Sequence, residues 1–240
     1  MSPFQTFTAR LVCSVPLSEF TKHLEFEMLG VKRFTFVAGQ WLSFRQPKPD
    51  GEEITRAYSI CSPPVDTNRF ALCLHRVQDG FMSNFLCGMK EGEEVSLQGP
   101  FGDFILRPPM RDTIFIATGT GIAPFRSMLQ WLFADEAQHQ GKQLWLLFGN
   151  RYERDIYYHD EFMRLAGRHS NFHYSPTLSR PDEEWQGLRG YVQQHLTEIA
   201  QGRSDVHAYI CGLDKMVEAN RELLKSLGWD RRSIRYEKYD

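Results

Sequence analysis

Hydrophobic and polar positions alternate with a period of two through the first half of the chain. The apolar places are Phe7, Ala9, Leu11 and Cys13 in 7-FTARLVCSV-15, Leu24, Phe26 and Met28 in 21-TKHLEFEML-29, and Phe70, Leu72 and Leu74 in 70-FALCLHRV-77. That period predicts β-strands with one face turned to a core. Turn formers separate the runs at Gly39, from Pro47 to Gly51, at Pro63-Pro64 and at Gly92, so the first half is expected to be a small antiparallel barrel. After Pro108-Pro109 the pattern changes. Apolar runs 114-IFIAT-118, 144-LWLLFG-149 and 207-HAYIC-211 alternate with stretches of helical period. Phe125, Met128, Leu129 and Leu132 share one helical face, and Met216, Leu223, Leu224 and Leu227 another. Strand–helix alternation predicts a doubly wound parallel sheet. The proline pair sets the expected boundary between domains 1–108 and 109–240.

Composition narrows the chemistry. The 240 residues are 42% hydrophobic and 24% charged, with a formal net charge of −2. That balance gives no general case for nucleic-acid or anionic-membrane partners. No apolar run reaches a spanning length, and the start MSPFQTFTAR lacks a signal-peptide apolar region. The five cysteines are scattered without CxxC, and the eight histidines form no HExxH or HxH cluster. No disulfide framework or metal site is therefore expected, and a reducing, cytoplasmic setting is. Redox chemistry, if present, needs an organic cofactor.

In 114-IFIATGTGIAPFRSML-129 a strand runs into Gly119-Thr120-Gly121 and then into a helix. The two glycines allow a tight turn and close approach of a phosphate, and helix N–H groups favour its charge. Pro124 suits a first helical turn, where its missing N–H costs nothing. A turn that binds nothing could carry the same letters, so the rest of the chain has to decide.

Upstream, 56-RAYSICS-62 closes a strand before Pro63-Pro64. Arg56 is suited to a bidentate phosphate contact, Tyr58 offers a flat face and Ser59 a short hydroxyl. A strand with an outward Arg and a core Tyr would read the same way. In 79-DGFMSNFL-86, Ser83 and the backbone around it are suited to a second helix start that binds phosphate.

With these motifs in order, the sequence resembles the ferredoxin–NADP reductase superfamily of flavoproteins over nearly its whole length. The resemblance is carried by RxYSxxS, GxxS, GTGIAPF and the late 211-CGLDKM-216. It implies a six-stranded antiparallel FAD-binding barrel followed by a doubly wound nicotinamide-nucleotide domain. By motif match, Arg56 holds the FAD pyrophosphate, Tyr58 packs on the isoalloxazine and Ser59 lies near flavin N5. His75, Val77, Gly80, Met82 and Ser83 line the rest of the FAD site. Gly119, Thr120, Gly121 and Pro124 match the nucleotide loop, and Cys211 the residue beside the nicotinamide. The ending 234-IRYEKYD-240 resembles the Glu-x-Tyr terminal strand of plastid-type members, with Asp240 added. Glu237 then takes the carboxylate position near the nicotinamide, and Tyr239 stacks on the flavin. A solvated terminal strand is the plainer alternative for both.

Hydride transfer needs nicotinamide C4 within about 3–3.5 Å of flavin N5. A flavin takes electrons in pairs and releases them singly, so it couples NADP(H) to a one-electron carrier. In 177-TLSRPDEEWQGLRGYV-192, Ser179, Arg180, Arg189 and Tyr191 suit a 2′-phosphate and an adenine. Glu183-Glu184 opposes this, and NADH-using relatives show a similar stretch, so NAD(H) stays open. Arg231, Arg232, Arg235 and Lys238 near the C-terminus suit a small acidic carrier, a ferredoxin or flavodoxin. The alternatives are a flavin reductase that releases its product, an NADH-using reductase component of an oxygenase system, and a non-catalytic binding subunit.

Overall fold

The two-residue period of the first half builds six strands. They are β1 (Thr6–Pro16), β2 (Thr21–Met28), β3 (Trp41–Pro47), β4 (Glu53–Ser59), β5 (Arg69–His75) and β6 (Glu94–Phe101). In this computed structural model, which describes residues 5–203 and 205–239, they form one antiparallel sheet in the order β4-β3-β6-β1-β2-β5. An antiparallel bridge between Ile60 and Leu72 joins the two edges and closes the sheet into a barrel.

Leu11, Leu24, Phe26, Leu42, Phe44, Phe70 and Leu97 fill its interior. Phe26 stacks on Phe70 and tilts against Phe44. Each such side chain contributes about 1.5–3 kcal/mol by leaving water. The register shifts between Leu11 and Cys13, so the alternation of β1 does not hold to its end. Beyond this bulge Cys13 is half-buried and Val15 is exposed. Helix α1 (Phe81–Gly88) adds Met82, Leu86 and Cys87 to the same core.

The second half forms a parallel sheet of β7 (Asp112–Thr118), β8 (Leu144–Asn150), β9 (Phe172–Leu178), β10 (Leu188–Arg189), β11 (Val206–Leu213) and β12 (Ile234–Tyr239). Its order is β10-β9-β8-β7-β11-β12. The chain steps outward from β7 on one side and returns to β11 on the other. The switch point therefore falls at the carboxyl end of β7, where such sheets bind ligands. The intervening helices are α2 (Ile122–Leu132), α3 (Glu136–His139), α4 (His159–Arg168), α5 (Val192–Ala200) and α6 (Asp214–Ser226). One face of the sheet, with Ile114, Ile116, Leu147, Ala208 and Ile210, packs on Val192 and Leu196 of α5 and on Val217 and Leu224 of α6.

Packing divides the chain into two compact units, Met1–Leu106 with Ala123–Trp131, and Arg107–Ile122 with Leu132–Asp240. The body of α2 thus groups with the barrel. Phe125 lies 5.8 Å from Phe104, and a Cβ on Gly39 would come within 2.5 Å of the Met128 methyl. Among the described residues no helix is long and apolar enough to cross a membrane.

Candidate functional site

In the barrel unit, β4 pairs with β3 so that Phe44 faces Arg56 and Leu42 faces Tyr58. Tyr58 is half-buried, with its ring edge-on to Phe44 at 5.8 Å. Burial pushes its phenol well above the usual range, with nearby Arg56 pulling weakly the other way. The hydroxyl stays protonated, and the ring is an apolar platform. The Arg56 guanidinium is exposed and donates from Nη1 to the Thr55 carbonyl at 2.9 Å. Ser59 is buried at the end of the strand.

His75 lies at the end of β5, with Nδ1 2.9 Å from Thr21 Oγ1. The loop that follows is laced to α1. Val77 N donates to Ser83 Oγ at 3.1 Å, and Ser83 Oγ donates to the Gly80 carbonyl at 3.0 Å. Asn84 Nδ2 reaches the carbonyls of Val77 (2.8 Å) and Gly80 (2.9 Å). The helix cap is Gly80, whose Cβ, if it had one, would lie 2.6 Å from Ser83 Oγ. The Ser83 hydroxyl, in the first turn of α1, thus ties the helix start to the loop before it. Met82 is buried in the core. Asn84 was not anticipated; its only signal was an amide one position past Ser83.

In the other unit, Gly119–Gly121 forms a single 3-10 turn between β7 and α2. Gly119 has φ +53° and open space around it, which leaves one side of the turn bare for a ligand. Gly121 packs against the end of β11. A Cβ on Gly212 would likewise lie 2.3 Å from Thr118 Oγ1. The turn and the Cys211-Gly212 corner are therefore brought into direct backbone contact. Thr120 is half-buried in that turn, and Pro124 stands in the first turn of α2.

Cys211 is buried, and the β11–β12 register pairs it with Glu237 and Leu213 with Tyr239. Burial, and then the Glu237 charge, push the Cys211 thiol well above its usual range, while the Tyr239 hydroxyl beside it acts oppositely. Asp240 lies outside the described residues. Thr118 Oγ1 and Asn150 Nδ2, at the carboxyl ends of adjacent strands, are buried with no hydrogen-bond partner among the described residues. A bound polar ligand at the switch point would relieve both, so the site fits a nucleotide.

Past β8 and β9 the pairing continues, Ser179 N to the Asn150 carbonyl at 3.0 Å and Arg180 N to the Arg151 carbonyl at 2.9 Å. The Arg180 side chain bonds Tyr152, and Tyr191 is exposed. Arg189 turns into its own loop, where Nη2 donates to the carbonyls of Asp182 (3.2 Å), Glu183 (3.2 Å) and Trp185 (2.8 Å). Arg151 and Tyr152 were missed, although an Arg-Tyr pair directly after an apolar strand was visible in 144-LWLLFGNRY-152. At the C-terminus, Lys238 is bound by Asp214 (2.5 Å) and Glu218 (2.6 Å). Its charge is largely neutralised within the strand's own surroundings.

The family model of the oxidoreductase FAD-binding domain matches residues 8–105, and that of the oxidoreductase NAD-binding domain residues 115–222. The chain is 43% identical to ferredoxin–NADP reductase B of Sorangium cellulosum, over 98% of each chain. It is 33% identical to the toluate 1,2-dioxygenase electron transfer component of Pseudomonas putida, over 93% of this chain but 64% of that longer one. In structure it resembles the Amycolatopsis cytochrome P450 reductase GcoB, with a TM-score of 0.86 and 25% identity, over 99% of this chain and 71% of the other. The chain belongs to the ferredoxin–NADP reductase superfamily of FAD-dependent NAD(P)H oxidoreductases.

Proposed function

We propose that this enzyme transfers hydride between NADP(H) and a bound FAD, and exchanges single electrons with a small acidic carrier of the ferredoxin or flavodoxin kind. The observation that carries the reading is the 43% identity to a ferredoxin–NADP reductase along the whole of both chains. FAD, when bound, supplies the reversible uptake of hydride and the release of electrons one at a time.

The chain's own residues bind and orient. In domain 1–108, Arg56 pairs with the pyrophosphate, Tyr58 packs on the ring, and the Ser59 hydroxyl hydrogen-bonds flavin N5. His75, Val77, Gly80, Met82 and Ser83 shape the remaining wall, with Asn84 fixing the loop. In domain 109–240, the turn Gly119-Thr120-Gly121, with Pro124 behind it, receives the nucleotide phosphates. Ser179, Arg180 and Tyr191 take the 2′-phosphate and adenine, and Arg189 supports their loop. Cys211 packs at the nicotinamide as a neutral thiol, since its raised pKa removes any thiolate role at neutral pH. Glu237 and Tyr239 complete that end of the site. Arg231, Arg232 and Arg235 are the cations offered to the carrier, and Lys238 is set aside because its charge is already met.

The test is anaerobic reduction of the purified holoenzyme by NADPH or NADH, followed by reduction of an added [2Fe–2S] ferredoxin. Flavin bleaching by NADPH and onward transfer to the ferredoxin are expected. A second reading, a reductase component of an oxygenase system, is favoured by the similarity to the toluate dioxygenase component. Efficient bleaching by NADH alone would select it. A protein that turns over only with added free flavin would be a flavin reductase.

A further inference from the structure

The motif RxYSxxS uses its second serine for architecture. Ser62 Oγ accepts from Ala71 N at 2.9 Å, and the Ser62 carbonyl accepts from Ser127 Oγ at 2.6 Å. One residue earlier, Cys61 N donates to the Ala71 carbonyl at 2.8 Å, and the Cys61 carbonyl accepts from Arg126 Nη1 at 3.0 Å. Ser127 is fully buried, and both residues lie in the part of α2 that packs within the barrel unit. The backbone leaving Ser59 is thus fixed on two sides. Main-chain bonds tie it to β5, and side chains of α2 clamp two successive carbonyls.

We infer that Arg126 and Ser127 are positioning residues for hydride transfer, acting through the chain path at Cys61 and Ser62 on the placement of Ser59. The inference rests on the assignment of the Ser59 hydroxyl to flavin N5. Reacting groups must be held within about 0.5 Å of the productive geometry. A displacement near 1 Å can cost about 100-fold in rate without loss of binding. Two side chains that hold the segment two and three residues from the reacting contact, from a rigid helix, meet that need. The Arg126 bond is charge-assisted, and its planar fork fixes direction, which a lysine reproduces only in part. A buried hydroxyl such as Ser127 Oγ, lost to alanine, leaves the Ser62 carbonyl without that donor.

The experiment compares holoenzyme carrying Ser127→Ala, Arg126→Leu or Arg126→Lys with the wild-type protein. FAD content, the dissociation constant for NADPH and the stopped-flow rate of flavin reduction are measured for each. FAD content and NADPH affinity are expected to stay within about twofold, while the reduction rate per bound FAD falls about tenfold in Ser127→Ala and Arg126→Leu. Arg126→Lys should recover part of the loss, and the bound-flavin absorption bands should shift in the slow variants. An unchanged rate per bound FAD with only a lower melting temperature overturns the inference, leaving both residues purely structural. Should Ser127→Ala fail to fold, the Arg126→Leu and Arg126→Lys pair decides alone. A wild-type protein without FAD, or a Ser59→Ala variant with an unchanged reduction rate, overturns the flavin assignment itself and the inference with it.

Discussion

Gly121 and Cys211 touch through their backbones: a Cβ placed on Gly121 would stand 2.3 Å from the Cys211 carbonyl oxygen and 2.6 Å from its carbonyl carbon. Neither atom can give way, because Cys211 is held in β11 between β7 and β12. The turn proposed to receive phosphate and the residue proposed to face the nicotinamide are therefore set by one contact. Gly119, two residues away, has open space around it and needs glycine only for its φ of +53°.

The two glycines should separate in kinetics. Gly121→Ala is expected to lower kcat/KM for NADPH about 100-fold, roughly 2.7 kcal/mol, with FAD content unchanged. Gly119→Ala carries only left-handed backbone strain, about 1–2 kcal/mol, and should cost about tenfold or less. Steady-state kinetics of both variants check the ranking, and a reversed order would contradict the contact.

The Cys211 thiol has a folded-state pKa raised mainly by burial, then by Glu237. Below its unfolded pKa, about 8.5, both states hold the proton and the stabilising term is fully present. Above it the unfolded chain loses the proton first, so stability falls by up to about 1.4 kcal/mol per pH unit until the folded thiol titrates. Urea midpoints between neutral pH and the alkaline range should drop more steeply for wild type than for Cys211→Ala. Parallel curves would mean that folding does not raise the pKa of this thiol. The folded protein should also resist alkylation at this position.

Asn84 carries a loop that no other proposed FAD contact holds by side-chain amide. Asn84→Ala removes the donors to the carbonyls of Val77 and Gly80. Each is worth about 0.5–1.5 kcal/mol net. The FAD dissociation constant should rise about tenfold, with the rate per bound FAD little changed. Flavin retention after gel filtration and fluorescence titration of the apoprotein measure it.

Arg180 is exposed and bonded to Tyr152, and a charge-assisted contact to a 2′-phosphate is worth about 1.5–3 kcal/mol. Arg180→Ala should therefore cut the NADPH-to-NADH ratio of kcat/KM by about 10-fold or more, through KM for NADPH. Equal losses for both nucleotides would place Arg180 away from the phosphate. Arg189→Ala is expected to act more diffusely, because that side chain holds the carbonyls of its own loop.

The strand period in Leu24-Phe26-Met28 was legible because one face of that strand meets the core and the other does not. In Phe70-Leu72-Leu74 the intervening Ala71 and Cys73 are buried as well, so that strand is covered on both faces. The same rule failed past Leu11, where a bulge changes the phase and nothing in the local letters marks it. The tight turn between β7 and α2 was legible as Gly-Thr-Gly, but the reason for its second glycine was not. That reason is a backbone about 90 residues further along the chain, which no local pattern encodes. Ser83 does stand in the first turn of α1, but its bonds to Val77 N and the Gly80 carbonyl depend on the fold of the preceding loop, which the letters alone do not give. Lys238 looked like an open cation because Asp214 and Glu218 reach it from α6, which the fold lays beside β12 further along the chain.

The grouping of Ala123–Trp131 with the barrel has a consequence for dissection. Neither unit is a contiguous length of polypeptide, so no single cut releases both intact. A fragment ending at Pro108 would keep every barrel strand yet lack Phe125, Met128, Arg126 and Ser127, baring Phe104 and Gly39 to solvent and leaving the Cys61 and Ser62 carbonyls unclamped. Its counterpart, beginning at Pro109, would carry β7 and then α2 as an amphipathic helix whose apolar side had lost its support. Recombination that exchanges modules between related reductases should succeed when the segment from Ala123 to Trp131 is inherited together with the barrel, and fail when it travels with the sheet that follows it in sequence.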